Sequence, residues 1–92
     1  MTDDVRALVD RVPAGWNEVD YDGRPWGLTR TDRAGGGTTT LYAEQLGGTD
    51  FVSANVWRTS TGDVLRPCEM PREVVLAFLR GWTPAARPDA GG

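Results

Sequence analysis

The sequence predicts an α+β domain: an N-terminal helix, a five-stranded antiparallel meander and a C-terminal helix, with both helices on one face of the sheet. Three observations predict it. From Thr38 to Trp57, two runs rich in β-branched and aromatic residues enclose Gly-Gly-Thr-Asp, the pattern of a long β-hairpin. Apolar stripes at helical spacing lie on either side of the strand region, one near each end of the chain. At 92 residues and 39% hydrophobic, the chain has material for one domain with a thin core. That domain is assigned to residues 1–82.

The first helix is read over Asp3 to Val12, where Val5, Leu8, Val9 and Val12 recur at helical spacing. Thr2 supplies an N-cap, and Asp3 and Asp4 fall in the first turn, where the macrodipole favours negative charge. Pro13-Ala14-Gly15 stops the helix. Trp16 to Tyr21 reads as a strand that ends at Asp22-Gly23, a strong hairpin-turn signal. The return strand is Arg24 to Thr31, with Pro25 near its beginning, where a missing N–H does least harm. Asp32 to Gly37 reads as a loop. A phosphate-cradling loop would close on Gly-Lys-Ser/Thr, and the chain has no lysine.

The long hairpin comes next, and Gly47-Gly48 is expected to supply the positive φ of its turn, so that Gly48→Val destabilises. Thr59 to Asp63 is a further turn, and Val64-Leu65-Arg66 a short last strand. Pro71 is placed at the first helical position, Glu73 in the first turn, and Val74, Val75, Phe78, Leu79 and Trp82 form the apolar stripe of the second helix. Residues 83–92 carry no apolar pattern and are expected to be a disordered tail. Neither helix is long enough to stand alone in water, so the sheet must hold both.

Composition excludes several functions. All ten basic residues are arginines spread along the chain, and the net charge is −3, so the basic patch of a nucleic-acid binder is missing. No apolar run approaches the roughly 20 residues that span a bilayer. The acidic Met-Thr-Asp-Asp start is unlike a signal peptide, and a cytoplasmic location is expected. A single Cys forms no internal disulfide, and with no His the chain lacks the ligands of zinc sites and the base of Ser-His-Asp or Cys-His catalysis. No metal or cofactor is expected.

Two candidate sites remain. On the hairpin, side-chain alternation separates Leu41, Ala43, Val52, Ala54 and Val56 from Tyr42, Glu44, Ser53, Asn55 and Trp57. The first set is expected to face Val5, Leu8, Val9, Val74, Phe78 and Leu79. The second is aromatic and polar, the composition of a recognition face, and Trp26, Phe51 and Arg30 are read as its neighbours. Two readings stay open: a surface for a partner, whether a protein, a peptide or a second copy of the chain, or a face packed internally. The other candidate is Cys68, placed ahead of the second helix with Arg66 and Arg72 nearby in sequence, a setting that favours a reactive thiol. With no base and no second Cys, the expectation is instead a thiol buried beneath the start of that helix. The carboxylates Glu44, Glu69 and Asp63 are read as solvated charges.

The stretches Leu41-Tyr42-Ala43-Glu44-Gln45-Leu46-Gly47-Gly48-Thr49-Asp50-Phe51-Val52-Ser53 and Leu65-Arg66-Pro67-Cys68-Glu69-Met70-Pro71 carry a resemblance. The chain resembles a family of short actinobacterial and cyanobacterial proteins that share Tyr-Ala-Glu-x-Leu-Gly-Gly-x-Asp-Phe and Pro-Cys-Glu-Met-Pro. Some of these bear the name peptide methionine sulfoxide reductase. What the resemblance implies is a thiol-dependent oxidoreductase with Cys68 as nucleophile. Of the two nucleophile motifs of that activity, Gly-Cys-Phe-Trp is absent, and Arg-Tyr-Cys-x-Asn is matched only at Arg66 and Cys68.

Overall fold

The structure, a computed structural model, describes residues 5–33, 35, 37–60 and 62–85. Its elements in chain order are α1 (Val5–Asp10), β1 (Gly15–Tyr21), β2 (Arg24–Arg33), β3 (Thr38–Gln45), β4 (Phe51–Thr59), β5 (Gly62–Pro67), α2 (Arg72–Gly81) and β6 (Thr83–Pro84). The strands form one antiparallel sheet in the order β5-β4-β3-β2-β1-β6. The fold is α+β, with both helices packed on one sheet face.

Turn chemistry sets the register. Asp22 and Gly23 both have positive φ (55° and 77°), as a two-residue type I′ hairpin requires, and the turn pairs Tyr21 with Arg24 and Val19 with Trp26. In the β3–β4 connection the positive φ falls on Gly47 (78°). Gly48 needs no such backbone, and a Cβ there would instead meet the end of the flexible Gln45 side chain.

The core is the inward half of this alternation. Val19, Trp26, Leu28, Leu41, Ala43, Val52, Ala54, Val56 and Leu65 of the sheet pack against Val5 and Val9 of α1 and against Val75, Leu76, Phe78 and Leu79 of α2. Leu8 is partly buried beside them. Val74, expected in this stripe, is 44% exposed, and Leu76 takes the place. At about 100° per residue, the four buried positions of α2 span an arc whose centre lies roughly 120° from Val74, so the side chain emerges at the helix flank. Pro71 has extended backbone (φ −63°, ψ 143°) and is the N-cap rather than the first helical residue.

Arginines finish both helices. Arg30 Nη1 donates to the carbonyls of Val9 (3.2 Å) and Val12 (3.0 Å), which close α1. Arg11 donates to those of Leu79 (2.8 Å) and Trp82 (3.1 Å), with its guanidinium 4.6 Å from the Trp82 ring centre. Orphan carbonyls and the negative end of the macrodipole both favour a cation there.

Two segments are more ordered than the sequence pattern predicts. Asp32 and Arg33, assigned to the glycine-rich loop, extend β2 and pair with Thr39 and Thr38. Thr83 and Pro84, assigned to the tail, form β6 against Asp20 and Val19, and Ala85 N–H donates to the Glu18 carbonyl (3.3 Å). Burial of Trp82 draws the chain onto the β1 edge. The expected cap and acidic turn at Thr2, Asp3 and Asp4, and the tail from 86 to 92, lie outside the described residues. Among the described residues no helix is long and apolar enough to cross a membrane.

Candidate functional site

Because side chains alternate, covering one sheet face with helices leaves the other to solvent. The registers arrange this open face in rows across the strands: Trp16, Thr29, Tyr42 and Ser53; then Thr31, Thr40, Asn55 and Arg66; then Arg33, Thr38, Trp57 and Val64. On the far side of the first row stand Glu18, Gly27, Glu44 and Phe51. Tyr42, Glu44, Ser53, Asn55 and Trp57 therefore share one face. Nothing in the described chain packs over it.

Four aromatic side chains dominate this surface: Trp16 (58% exposed), Phe51 (49%), Trp57 (44%) and Tyr42 (41%). Tyr42 and Phe51 stack diagonally with ring centres 6.3 Å apart and planes at 26°, and Arg66 lies 6.0 Å from the Trp57 ring centre. Thr40 donates to Asn55 Oδ1 (3.0 Å). The Trp16 indole rests on Gly27, where a Cβ would come within 2.7 Å of Trp16 Nε1. Glycine at 27 thus lets an aromatic ring lie flat on the strand, a known way of covering strand glycines.

Trp26 and Arg30, read as neighbours of this face, point the other way. Trp26 is 6% exposed in the core, and Arg30 reaches under α1. The member overlooked in the sequence is Trp16. The signal was present in the Asp22-Gly23 turn: it places Trp26 opposite Val19, on the core side, and Trp16 opposite Thr29, on the open side.

Beneath the opposite face, at the α1 end, lies an ion-pair cluster. Arg58 donates from Nε to Asp63 (2.6 Å) and from Nη2 to Asp10 (2.8 Å), and Arg6 donates to Asp63 (3.1 Å). The Asp63 side chain is fully buried, so it is a structural ion-pair partner and not the solvated charge expected. Burial opposes the Arg58 charge, but the hydrogen bond it donates to Asp10, and the charge of Asp63 together with the hydrogen bond donated to it, outweigh burial and raise the guanidinium pKa. Asp32 accepts hydrogen bonds from the Thr39 hydroxyl (2.7 Å) and Arg30 Nε (3.1 Å), and these hold its carboxyl below the ordinary value against the opposing effect of burial. Glu44 is on the open face and Glu69 is exposed with φ 55° between β5 and α2, so Glu44, Glu69 and Asp63 do not converge. Among the described residues no cluster of acids, Cys or His has the geometry of a metal site.

Cys68 follows β5, and its N–H donates to the Ser53 carbonyl (3.0 Å), continuing the row of Trp16, Thr29, Tyr42 and Ser53. The thiol is free and half-buried, more accessible than expected for packing beneath α2. The two nearby arginines are engaged elsewhere: Arg66 over Trp57, and Arg72 with the Leu65 carbonyl (3.3 Å).

Fold and site together define a small α+β domain with an open antiparallel sheet face. No family model, no curated protein and no solved structure matches the chain.

Proposed function

We propose that the protein is an interaction module whose open sheet face docks another protein surface, in the first instance that of a second copy. One observation carries this reading: the exposed aromatics run the length of a face that is acidic at one end, where Glu18 and Glu44 share a row with Phe51, and basic at the other, where Arg33 and Arg66 flank Trp57. A two-fold axis lying in the interface and running across the strands sets each acidic end against the partner's basic end, so the surface is complementary to itself. Trp, Tyr, Phe and Arg are also the residues in which interface cores are enriched. Five strands about 4.8 Å apart and some seven residues long at about 3.3 Å each give a footprint on the order of 500 Å². That is the same order as the ~800 Å² per partner of a standard interface.

Sedimentation velocity on the wild type and on Trp57→Ala tests the reading. A concentration-dependent dimer that Trp57→Ala shifts to monomer, with the fold retained, is the expected result. A wild type that stays monomeric at about 100 μM, a concentration that populates even weak complexes, counts against self-docking.

The accessibility of Cys68 favours a second reading, a thiol-dependent reductase of oxidised methionine. In it the Cys68 thiolate attacks the sulfoxide sulfur, the oxygen passes to Cys68 as a sulfenic acid, and methionine leaves. Two equivalents of an external thiol then return Cys68 to the thiol, releasing water and a disulfide. Turnover of a methionine sulfoxide peptide that disappears in Cys68→Ser would put this reading first. Slow alkylation of the native thiol and no turnover would dismiss it.

A further inference from the structure

A groove of about 670 Å³ opens on the helix-covered side, where the tips of the β1–β2 and β3–β4 hairpins meet the first turns of α2. Its size is that of small-molecule sites, which run from roughly 300 to 1,000 Å³. It lies apart from the centre of the open face, and only Phe51 borders both. The geometry points to a binding site in this groove for a small organic cation, an ammonium or guanidinium group carried on an apolar body.

Aromatic surface comes first in the argument. Tyr21, Trp26 and Phe51 line the groove, and Val74 and Ala77 add aliphatic wall. Tyr21 and Trp26 meet edge to face at 5.8 Å, and Phe78 braces both from below at 4.8 and 5.0 Å, so these rings are held in place before any ligand arrives. Aromatic faces attract cations through their quadrupole, and most strongly when water is displaced. Trp26 is 6% exposed, so its ring is fixed in the wall of the groove and not free to swing away.

Charge supplies the second part. Asp22, Asp50 and Glu73 stand on the rim against a single Arg24, and none of the four belongs to an ion pair among the described residues. The contrast with the other end of the same face, where Asp10, Asp63 and Asp32 all have arginine partners, marks this rim as electrostatically unspent. Asp22 is positioned by the type I′ turn, and the Asp50 carbonyl accepts from Gln45 N–H (2.9 Å). The acids are too dispersed to surround a bare metal ion. Spaced around an aromatic floor, they suit a larger cation with an apolar body.

The test is a ¹⁵N-resolved NMR titration of the full chain with phenethylammonium chloride, and in parallel with sodium 3-phenylpropionate, which has a similar apolar body and the opposite charge. The cation should give saturable shifts at the Trp26 indole N–H and at the Asp22, Asp50 and Val74 amides, and the anion none. Asp50→Asn with Glu73→Gln, both exposed and nearly isosteric changes, should weaken the cation about five- to tenfold with the rest of the spectrum unchanged. Equal shifts from both compounds, no saturable shift from the cation, or undiminished binding by the double variant would each overturn the proposal.

Discussion

The two faces of this sheet are made from the same strands, yet they hold opposite kinds of order. The covered face buries Val, Leu and Phe side chains under two helices, and its polar margin at the α1 end is closed by ion pairs and hydrogen bonds. The open face spreads Trp16, Tyr42, Phe51 and Trp57 among Thr, Ser and Asn, with Trp16 resting on strand backbone, Tyr42 and Phe51 on one another, and Trp57 beside the Arg66 guanidinium. The difference teaches where stability and binding are separable. Substitutions under the helices should act on folding, and substitutions on the open face should act on association.

The largest effect is expected at Phe78, a fully buried ring that braces Tyr21 and Trp26. Phe78→Ala should lower unfolding stability by about 3–5 kcal/mol, read from urea midpoints. A loss below about 1 kcal/mol would mean that the helix-covered face is not the stabilising core. Asp63→Asn comes next. It removes the buried carboxylate facing Arg58 and Arg6, and because Arg58 keeps Asp10 and some access to water, about 2 kcal/mol is expected instead of the ~3–5 kcal/mol of a fully buried pair.

Gly47→Val should cost on the order of 1–2 kcal/mol, since a β-branched residue is forced into the left-handed region. Gly48→Ala should cost less, because the Gln45 side chain can swing away. If the two substitutions ranked in the reverse order, the turn would be built differently. Trp57→Ala sharpens the comparison from the other side: its stability should change by less than about 1 kcal/mol while self-association is lost. A large loss of stability in the monomer would place Trp57 in a core.

The smallest effect is a pH dependence. Hydrogen bonds from Thr39 and Arg30 hold the Asp32 carboxyl below the ordinary carboxylate value in the folded protein, so its contribution is present above the unfolded pKa and is lost as pH falls through the folded one. The urea midpoints of the wild type and Asp32→Asn should therefore differ at pH 7 and draw together as the pH is lowered below the ordinary carboxylate value. The difference should be small, because the Asp32 side chain is 38% exposed.

Cys68 shows why a local pattern leaves function open. Proline on both sides and a helix ahead describe its backbone, and from these the thiol reads as buried. Its accessibility depends on how the chain leaves β5 with Glu69 in the left-handed region, a choice made by packing between β5 and α2. The two arginines adjacent in sequence are likewise drawn to Trp57 and to the Leu65 carbonyl. Proximity along the chain did not translate into contact.

What the sequence by itself determined is the part of the fold that depends on short-range periodicity. Alternation assigned Leu41, Ala43, Val52, Ala54 and Val56 to the covered face and Tyr42, Glu44, Ser53, Asn55 and Trp57 to the open one, and Asp22-Gly23 marked the first hairpin. These features need only the two-residue repeat of a strand and the φ requirements of a turn. Tertiary structure alone decided that Leu76 is buried and Val74 exposed, that Arg30 and Arg11 cap helices, that Asp63 is an internal ion-pair partner, and that Thr83–Pro84 adds a strand. Each of those outcomes depends on groups distant in sequence: the tilt of α2 on the sheet, the carbonyls left over at a helix end, and the edge that β1 presents to a passing chain.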